Sequence, residues 1–161
     1  MILHAGMVAL RVQGFWRGVL IEGASGTGKS DLALRMMALG WRLAADDRVL
    51  IWMSGGKLYG RAPDPLAGRI EVRGVDILSE VPLPYCRISL SVADGAYERL
   101  PEPGSVCHFG RPVPHLTLPL LEGSTPAKIA RAIWRLGEGE EGAYQGRRAG
   151  VNSPLSGRDS R

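Results

Sequence analysis

Eight consecutive residues have the types and spacing that suit phosphate binding. They match the pattern Gly-x-x-x-x-Gly-Lys-Ser/Thr and are Gly23, Ala24, Ser25, Gly26, Thr27, Gly28, Lys29 and Ser30. The glycines allow a tight turn whose backbone N–H groups point inward, at the positive end of the helix expected to follow. The Lys29 ammonium would then contact the β- and γ-phosphates, and the Ser30 hydroxyl would ligate Mg²⁺. The pattern predicts a nucleotide site, and an ordinary glycine-rich turn beside a surface lysine is the alternative.

Two adjacent carboxylates, Asp46 and Asp47, follow this loop after one expected helix and one expected strand. In a parallel sheet the ends of both strands lie at the same edge, so the two acids would face the nucleotide site. One of them could accept the proton of a hydroxyl group while that group attacks the γ-phosphate. A strand-terminating turn with solvated acids is the alternative interpretation.

A further carboxylate, Glu71, lies between Arg69 and Arg73 in a stretch bracketed by glycines. Glu71 could complete the Mg²⁺ shell, and an arginine could stabilise charge on the transferring phosphate. An exposed strand of alternating charge would explain the same pattern. His4 is another candidate, although a lone histidine near a terminus is more often incidental.

Hydrophobic periodicity predicts the elements that must position these residues. The expected elements are strands over Met7–Arg11 and Gly18–Glu22 joined by Val12–Arg17, a helix over Lys29–Leu39, a strand over Trp41–Ala45, and a hairpin of Val49–Met53 with Lys57–Tyr59. Val19, Leu20 and Ile21 form a continuous apolar run, which is typical of a strand buried on both faces.

Proline and glycine punctuate the second half of the chain. The expected elements there are a strand over Arg87–Val92, a loop region with short extended pieces over Pro101–Pro119, and a helix from Ser124-Thr125-Pro126 to Leu136. Residues 137–161 are rich in Gly, Glu, Arg and Ser and almost lack apolar residues, so they are predicted to form a disordered tail. The sequence therefore predicts one α/β domain over residues 1–136.

Composition argues against several classes of protein. No apolar run approaches the roughly 18 residues that a membrane helix needs, and the N-terminal residues lack the basic start and cleavage site of a secretory signal. Cys86 and Cys107 have no metal-ligand spacing and are expected to be reduced thiols of a cytoplasmic protein. The basic residues are not concentrated in the core of the chain, so the net charge of +4 argues only weakly for a nucleic-acid partner.

Three separated blocks occur in an order that resembles the catalytic domain of HPr kinase/phosphorylase. They are Arg17–Ile21 after His4, then Gly23–Val49, then Gly68–Leu78. The resemblance extends from Ile2 to Leu136 and is to the short form, which lacks the N-terminal domain of longer members. It implies an α/β fold with a P-loop nucleotide-binding core and a mixed β-sheet, similar to phosphoenolpyruvate carboxykinases around the P-loop.

The resemblance also implies a function. It implies an ATP-dependent serine kinase acting on HPr, the small phosphocarrier protein of sugar phosphotransferase systems. It further implies the phosphorolysis of phosphoserine-HPr by inorganic phosphate, which yields pyrophosphate. ATP and Mg²⁺ would be the cofactors, and a homo-oligomer is expected because long members form hexamers. A small-molecule P-loop kinase and a non-catalytic nucleotide-sensing module are the alternatives.

Residue roles follow from position within the matching motifs. The resemblance implies that Asp47 accepts the serine proton in phosphorylation and donates it in phosphorolysis, with Asp46 in support. Lys29 and Ser30 would keep their P-loop roles, and Glu71 would be the second Mg²⁺ ligand.

Two further positions match the family, and two regions depart from it. His4 would lie near the phosphate site, and Arg73 falls in the segment linked to both activities. Gln13–Trp16 are extra residues between His4 and the P-loop. The family's Pro- and Arg-rich loop is replaced by Cys107–Pro114, in which Arg111 is the candidate for the missing arginine. The resemblance therefore supports the kinase activity better than the phosphorylase activity.

Overall fold

The structure is a computed structural model that describes residues 1–138. Its strands are β1 (Ile2–Leu3), β2 (Ala5–Val12), β3 (Phe15–Glu22), β4 (Arg42–Ala45), β5 (Val49–Ser54), β6 (Lys57–Arg61), β7 (Arg69–Val72), β8 (Asp76–Ser79), β9 (Cys86–Asp94), β10 (Gly104–His108) and β11 (Arg111–Leu118). The helices are α1 (Lys29–Ala38), α2 (Thr125–Glu138) and a short 3₁₀ turn over Asp64–Leu66. The expected α/β class with a mixed sheet is confirmed.

Nine of these strands form one curled, mixed sheet. Its main path runs β1-β5-β6-β9-β3-β2-β4, and the remaining two strands, β7 and β8, form a separate hairpin. β9 is parallel to β3 on one side, and on its other side it pairs with β6 near its start and with β11 near its end. This sharing of one strand edge by two partners makes the sheet branch and curl.

Strand direction determines which residues lie at the functional edge of the sheet. β2 is antiparallel to both β3 and β4. The start of β2 therefore lies beside the ends of β3 and β4, with Ala5 in register with Glu22. The residues just before β2 and just after β3 and β4 therefore lie close together, although they are far apart in the sequence.

The core has two parts, one on each face of the sheet. Val19 and Ile21 pack toward α1 and α2, which bury Leu32 and Ile133 on that face. Leu20 points to the opposite face and packs in a second cluster with the strands of the curled half. This arrangement confirms the prediction that the apolar run in β3 is buried on both faces.

The connection predicted over Val12–Arg17 is wrong in its length. Only Gln13 and Gly14 turn, both with positive φ (52° and 83°), as a two-residue hairpin turn requires. Phe15–Arg17 already belong to β3 and pair with β2. The turn therefore forms the far tip of the hairpin, at the end away from the functional edge.

The region Pro101–Pro119, predicted to be a loop with short extended pieces, is more regular than predicted, because most of it forms the β10–β11 hairpin. Pro112 and Pro114 lie in β11 before His115, where pairing with β9 begins. Their missing N–H groups therefore remove no hydrogen bond to β9, and a strand can contain them. The two prolines made the segment resemble a loop.

The final helix runs two residues beyond its predicted end at Leu136, to Glu138. The remainder of the tail predicted to be disordered lies outside the described residues. Neither α-helix in residues 1–138 is long and apolar enough to cross a membrane.

Candidate active site

A cleft of about 330 Å³ opens at the edge where β2 begins and β3 and β4 end. The described residues that line it are His4, Ser25, Gly26, Gly28, Lys29, Ser30, Asp31, Leu34, Asp46, Asp47, Glu71, Val72, Arg73 and Leu121. All seven residues predicted to have catalytic or metal-binding roles are among them. The structure thus brings together side chains from the chain terminus, the glycine-rich loop, the end of β4 and the separate β7–β8 hairpin.

The loop over residues 23–30 is held in shape by its own side chains. The buried Lys29 places its Nζ 2.8 Å from the carbonyl oxygen of Gly23 and 2.9 Å from that of Ala24. The Thr27 hydroxyl donates to the same Ala24 carbonyl at 2.8 Å. An ammonium group has three N–H donors, so Lys29 can brace the loop and still offer a donor to the cleft.

Position 28 requires glycine for two reasons, a close contact with a neighbouring side chain and a positive φ. Its φ is +100°, and a Cβ built there would lie 2.6 Å from Cδ2 of Leu121. Leu121 lies in the segment before α2, and its side chain covers the loop at Gly28. Leu121 was not predicted from the sequence, because no neighbouring residue indicates a contact with a loop so distant in the chain.

The segment that carries Leu121 is tied to α1 by Arg35. This guanidinium donates to the backbone oxygens of Leu120 and Glu122, and to the carboxylate of Asp31 one turn earlier in the helix at 2.8 Å. Hydrogen bonds from Lys128 and Ser124 anchor the Glu122 carboxylate and hold its pKa below the usual range. The cover over the loop is therefore fixed to both helices.

Asp46 connects the start of α1 to the β7 strand. Its Oδ1 accepts a hydrogen bond from the Ser30 hydroxyl at 2.7 Å, and its Oδ2 accepts one from the Glu71 backbone N–H at 3.3 Å. Asp46 itself is buried, whereas the Glu71 side chain is exposed and lies 3.9 Å from the Nε of Arg73. One buried carboxylate thus places a hydroxyl and a second carboxylate on the same side of the cleft.

Asp47 stands at the centre of a tight turn and projects its carboxylate into solvent. Its φ is +65°, and the N–H of Arg48 donates to the carbonyl of Asp46 at 2.7 Å, which closes a three-residue turn of a rare type. The Ala5 N–H donates to the Asp47 carbonyl at 3.1 Å, so the turn is attached to the start of β2. Such backbone strain is often found at functional sites.

His4 and Arg48 flank the Asp47 carboxylate. Nε2 of His4 lies 2.8 Å from Oδ1, and Nε of Arg48 lies 3.8 Å from Oδ2. All three side chains are more than half exposed. The arrangement holds a carboxylate in a defined orientation while leaving it accessible to a molecule that enters the cleft.

The oxygen donors of the cleft suit a magnesium ion that is shared with phosphates. Within residues 1–138 no group of three or more His, Cys, Asp and Glu side chains is arranged to hold a metal by itself. Mg²⁺ usually keeps several waters and binds one or two protein oxygens together with substrate phosphates. Ser30 and Glu71 could supply the few hard oxygen ligands that this mode needs, with Asp46 holding both in place.

Arg111, the candidate replacement for the missing arginine, does not line this cleft. It begins β11, which runs parallel to β9 and therefore to β3. The first residues of these strands lie at one edge of the sheet. The glycine-rich loop begins with Gly23 at the opposite edge, after the end of β3. Arg111 lines a different cavity, at the edge where these strands begin.

Fold and cleft together define a mixed α/β protein whose glycine-rich loop faces a set of carboxylates. The chain belongs to the family described as the HPr Serine kinase C-terminal domain, whose pattern matches residues 2–84. The resemblance seen in the sequence motifs is thereby confirmed.

Named relatives agree with this assignment, and a solved structure shares the fold. The HPr kinase/phosphorylase of Mycoplasmopsis pulmonis is 35% identical over 145 residues, which cover 81% of this chain and 46% of that protein. The HPr kinase/phosphorylase of Clostridium tetani is 48% identical over 68 residues, which cover 42% of this chain and 22% of that protein. The chain thus spans less than half the length of these curated relatives. The solved Hpr(Ser) kinase/phosphatase of Coxiella burnetii shares the fold, with a TM-score of 0.69, 23% identity, and coverage of 83% of this chain and 88% of that one.

Proposed function

We propose that this domain is an ATP-dependent serine kinase that phosphorylates the phosphocarrier protein HPr. The observation that carries the proposal is the common cleft in which the Lys29 loop faces the accessible carboxylate of Asp47. The family assignment supports HPr as the acceptor. A P-loop core like that of phosphoenolpyruvate carboxykinases is proposed from the resemblance of the motifs. The same site would phosphorolyse phosphoserine-HPr with inorganic phosphate.

ATP would lie with its phosphates against the loop over residues 23–30. The backbone N–H groups at the start of α1 and the third N–H of Lys29 are the donors available to them. Ser30 and Glu71 would hold Mg²⁺, with Asp46 orienting both. The ion neutralises charge on the phosphates when bound, and Arg73 adds a cation at the rim of the cleft.

Asp47 would remove the proton from the acceptor serine. As the serine oxygen attacks the γ-phosphorus, the bond from that phosphorus to the bridging oxygen of ADP breaks, and the carboxylate takes the hydroxyl proton. In the reverse direction, inorganic phosphate attacks phosphoserine and Asp47 returns the proton to the departing serine oxygen. His4 would keep Oδ1 in the orientation that both directions need.

The setting of the enzyme is part of the proposal. Cys86 and Cys107 are both free thiols, which suits the reducing cytoplasm. A homo-oligomer is proposed from the family resemblance.

The test is to incubate the protein with its cognate HPr, ATP and Mg²⁺ and to look for one added phosphate on a serine of HPr by mass spectrometry. Asp64→Asn, which changes an exposed acid away from the cleft, is the matched control and should behave as the wild type. Confirmed ATP binding without any phosphoserine would contradict the proposal and favour a nucleotide sensor. Transfer to a small metabolite in place of HPr would also contradict it.

A further inference from the structure

The cleft of the candidate active site has apolar side chains as well as charged ones. Among the described residues that line it, the apolar side chains are those of Leu34, Val72 and Leu121. Leu34 lies one helical turn after Ser30, so it projects from the same face of α1 at a greater distance from the glycine-rich loop. The cleft therefore combines a charged part around Asp47 with an apolar part along α1.

Leu121 is the most exposed of the three apolar side chains, with 66% of its surface accessible. Single exposed leucines are common on protein surfaces, but the backbone on both sides of this one is held in place. Arg35 donates hydrogen bonds to the carbonyl oxygens of Leu120 and Glu122, and the Glu122 carboxylate accepts one from Lys128 at 2.6 Å. A ligand that covered Leu121 would therefore have little backbone freedom left to remove.

The position of Leu121 relates it to one end of a bound nucleotide. Its side chain lies directly over Gly28, in the loop that would hold the phosphates. A nucleoside triphosphate carries its nucleoside at one end of the phosphate chain and the transferring phosphate at the other. The transferring phosphate must lie beside Asp47 for the proposed reaction, so the nucleoside lies toward the apolar part of the cleft, where Leu34 and Leu121 are.

The polar side chains beside Leu121 are used within the protein. Nε of Arg35 donates to the Asp31 carboxylate at 2.8 Å, and its other nitrogens bind the two backbone carbonyls that flank Leu121. Leucine side chains can cover the face of a base, but they cannot read the hydrogen-bonding groups on its edge. An apolar surface therefore discriminates weakly between ligands of similar shape.

We propose that Leu121, together with Leu34, forms the contact surface for the nucleoside of the phosphoryl donor, and that this surface accepts adenine and guanine nucleotides alike. The inference rests on the proposed function, because it requires a nucleoside triphosphate on the glycine-rich loop. It adds the residue that binds the nucleoside and the range of donors that the site can use.

The test compares ligands with and without a nucleoside. The full chain is titrated by calorimetry, in the presence of Mg²⁺, with ATP, with GTP and with inorganic tripolyphosphate. Leu121→Ala should weaken the binding of ATP and of GTP by about 5- to 20-fold, since it removes apolar contact area. The same variant should leave the affinity for tripolyphosphate unchanged, because that ligand has no nucleoside to contact the side chain.

Leu39→Ala is the matched control. Leu39 is exposed to almost the same extent, 65%, but it follows the last residue of the ten-residue helix α1. It therefore lies about 15 Å from the loop at the start of that helix, and its replacement should change none of the three affinities. In HPr phosphorylation, Leu121→Ala should raise the KM for ATP and leave kcat unchanged, whereas a general disturbance of the loop would lower kcat as well.

The outcomes separate this inference from the proposed function. The wild type should bind ATP and GTP with affinities within about tenfold of each other, and a preference of about 100-fold or more for either base would overturn the inference. An unchanged ATP affinity in Leu121→Ala, or an equal loss for ATP and tripolyphosphate, would also overturn it. If the nucleotides bind as expected and HPr receives no phosphate, the nucleoside contact stands and only the kinase activity is refuted. If no nucleotide binds to the wild type, both proposals are refuted.

Discussion

Nε2 of His4 lies 2.8 Å from Oδ1 of Asp47, although one residue precedes β2 and the other follows β4. The contact exists because β2 and β4 are antiparallel neighbours, so that the start of one lies beside the end of the other. The Ala5 N–H, one residue after His4, also holds the carbonyl of Asp47. A backbone contact and a side-chain contact therefore hold the same residue, Asp47.

The first prediction concerns His4→Gln. Loss of the imidazole contact lets the Asp47 carboxylate rotate away from the serine hydroxyl, so kcat should fall by about 10- to 100-fold while the KM for ATP changes little. Steady-state kinetics with HPr as the acceptor measure both quantities.

A double-variant cycle separates positioning from an independent role. Combining His4→Gln with Asp47→Asn should lower the rate no further than Asp47→Asn alone, since His4 acts through that carboxylate. Additive losses would show that His4 does something else.

The second prediction concerns magnesium. Ser30→Ala and Glu71→Gln each remove one proposed oxygen ligand, so the Mg²⁺ concentration for half-maximal rate should rise by about tenfold or more. Glu80→Gln alters an exposed acid after β8 and serves as the control. A Mg²⁺ requirement that is the same in Glu71→Gln and Glu80→Gln would exclude Glu71 as a ligand.

The third prediction compares two glycines of the loop. Gly26 and Gly28 both have positive φ, but a Cβ at Gly26 meets no atom within 4 Å, whereas one at Gly28 meets Leu121. Gly26→Ala should cost only the backbone strain, about 1–2 kcal/mol in the free energy of unfolding. Gly28→Ala should cost clearly more.

A second substitution tests the cause of that difference. Leu121→Ala removes the clashing methyl groups, so it should recover part of the loss in Gly28→Ala and none of the loss in Gly26→Ala. Urea unfolding of the wild type, the three single variants and the two double variants measures this directly. Equal destabilisation by the two alanines would mean that Leu121 does not cover the loop.

How far the sequence predicts this site depends on the kind of contact involved. The apolar run of β3, the glycine pattern and the helix after it determine the loop, and strand order brings Asp46 to the same edge. His4 lies beside Asp47 because β2 is antiparallel to β4, and hydrophobic periodicity does not reveal this pairing. Residue type alone made His4 a weak candidate, and the family resemblance implied its position near the phosphate site.

The features that were not predicted from the sequence depend on contacts between distant segments or on prolines within a strand. Arg35 binds carbonyl oxygens in the segment before α2, and any sequence in that segment has such oxygens. Leu121 is an exposed leucine with no distinctive neighbours. The β10–β11 hairpin was concealed by two prolines that lie where β11 does not yet pair with β9.

The fourth prediction concerns the reactivity of the two thiols. Burial raises the pKa of the Cys86 thiol to about 12, whereas Cys107 is exposed. Because the thiolate is the reactive form, iodoacetamide at pH 8 should label Cys107 and leave Cys86 unmodified in the folded protein. Mass spectrometry of native and urea-unfolded samples should show one and two labels.

The same shift predicts a pH dependence of stability. An unfolded Cys86 releases its proton near 9.0, but the folded protein retains it to about pH 12. Stability from this group is therefore fully present below pH 9 and is lost above it, by about 1.4 kcal/mol per pH unit. The stability difference between the wild type and Cys86→Ala should shrink as the pH rises from 9 to 10. A difference that stays constant would show that the thiol is not buried.

The fifth prediction concerns the proposed role of Asp47, which takes the hydroxyl proton beside a nucleotide held by the Lys29 loop. Asparagine tolerates the left-handed φ of this position, so Asp47→Asn should keep the turn and the fold. The decisive measurement is ATP affinity together with the rate of HPr phosphorylation in this one variant. We expect an affinity within about twofold of the wild type and a rate lower by about 10²- to 10⁴-fold. Phosphorylation of HPr at the wild-type rate by Asp47→Asn would contradict it.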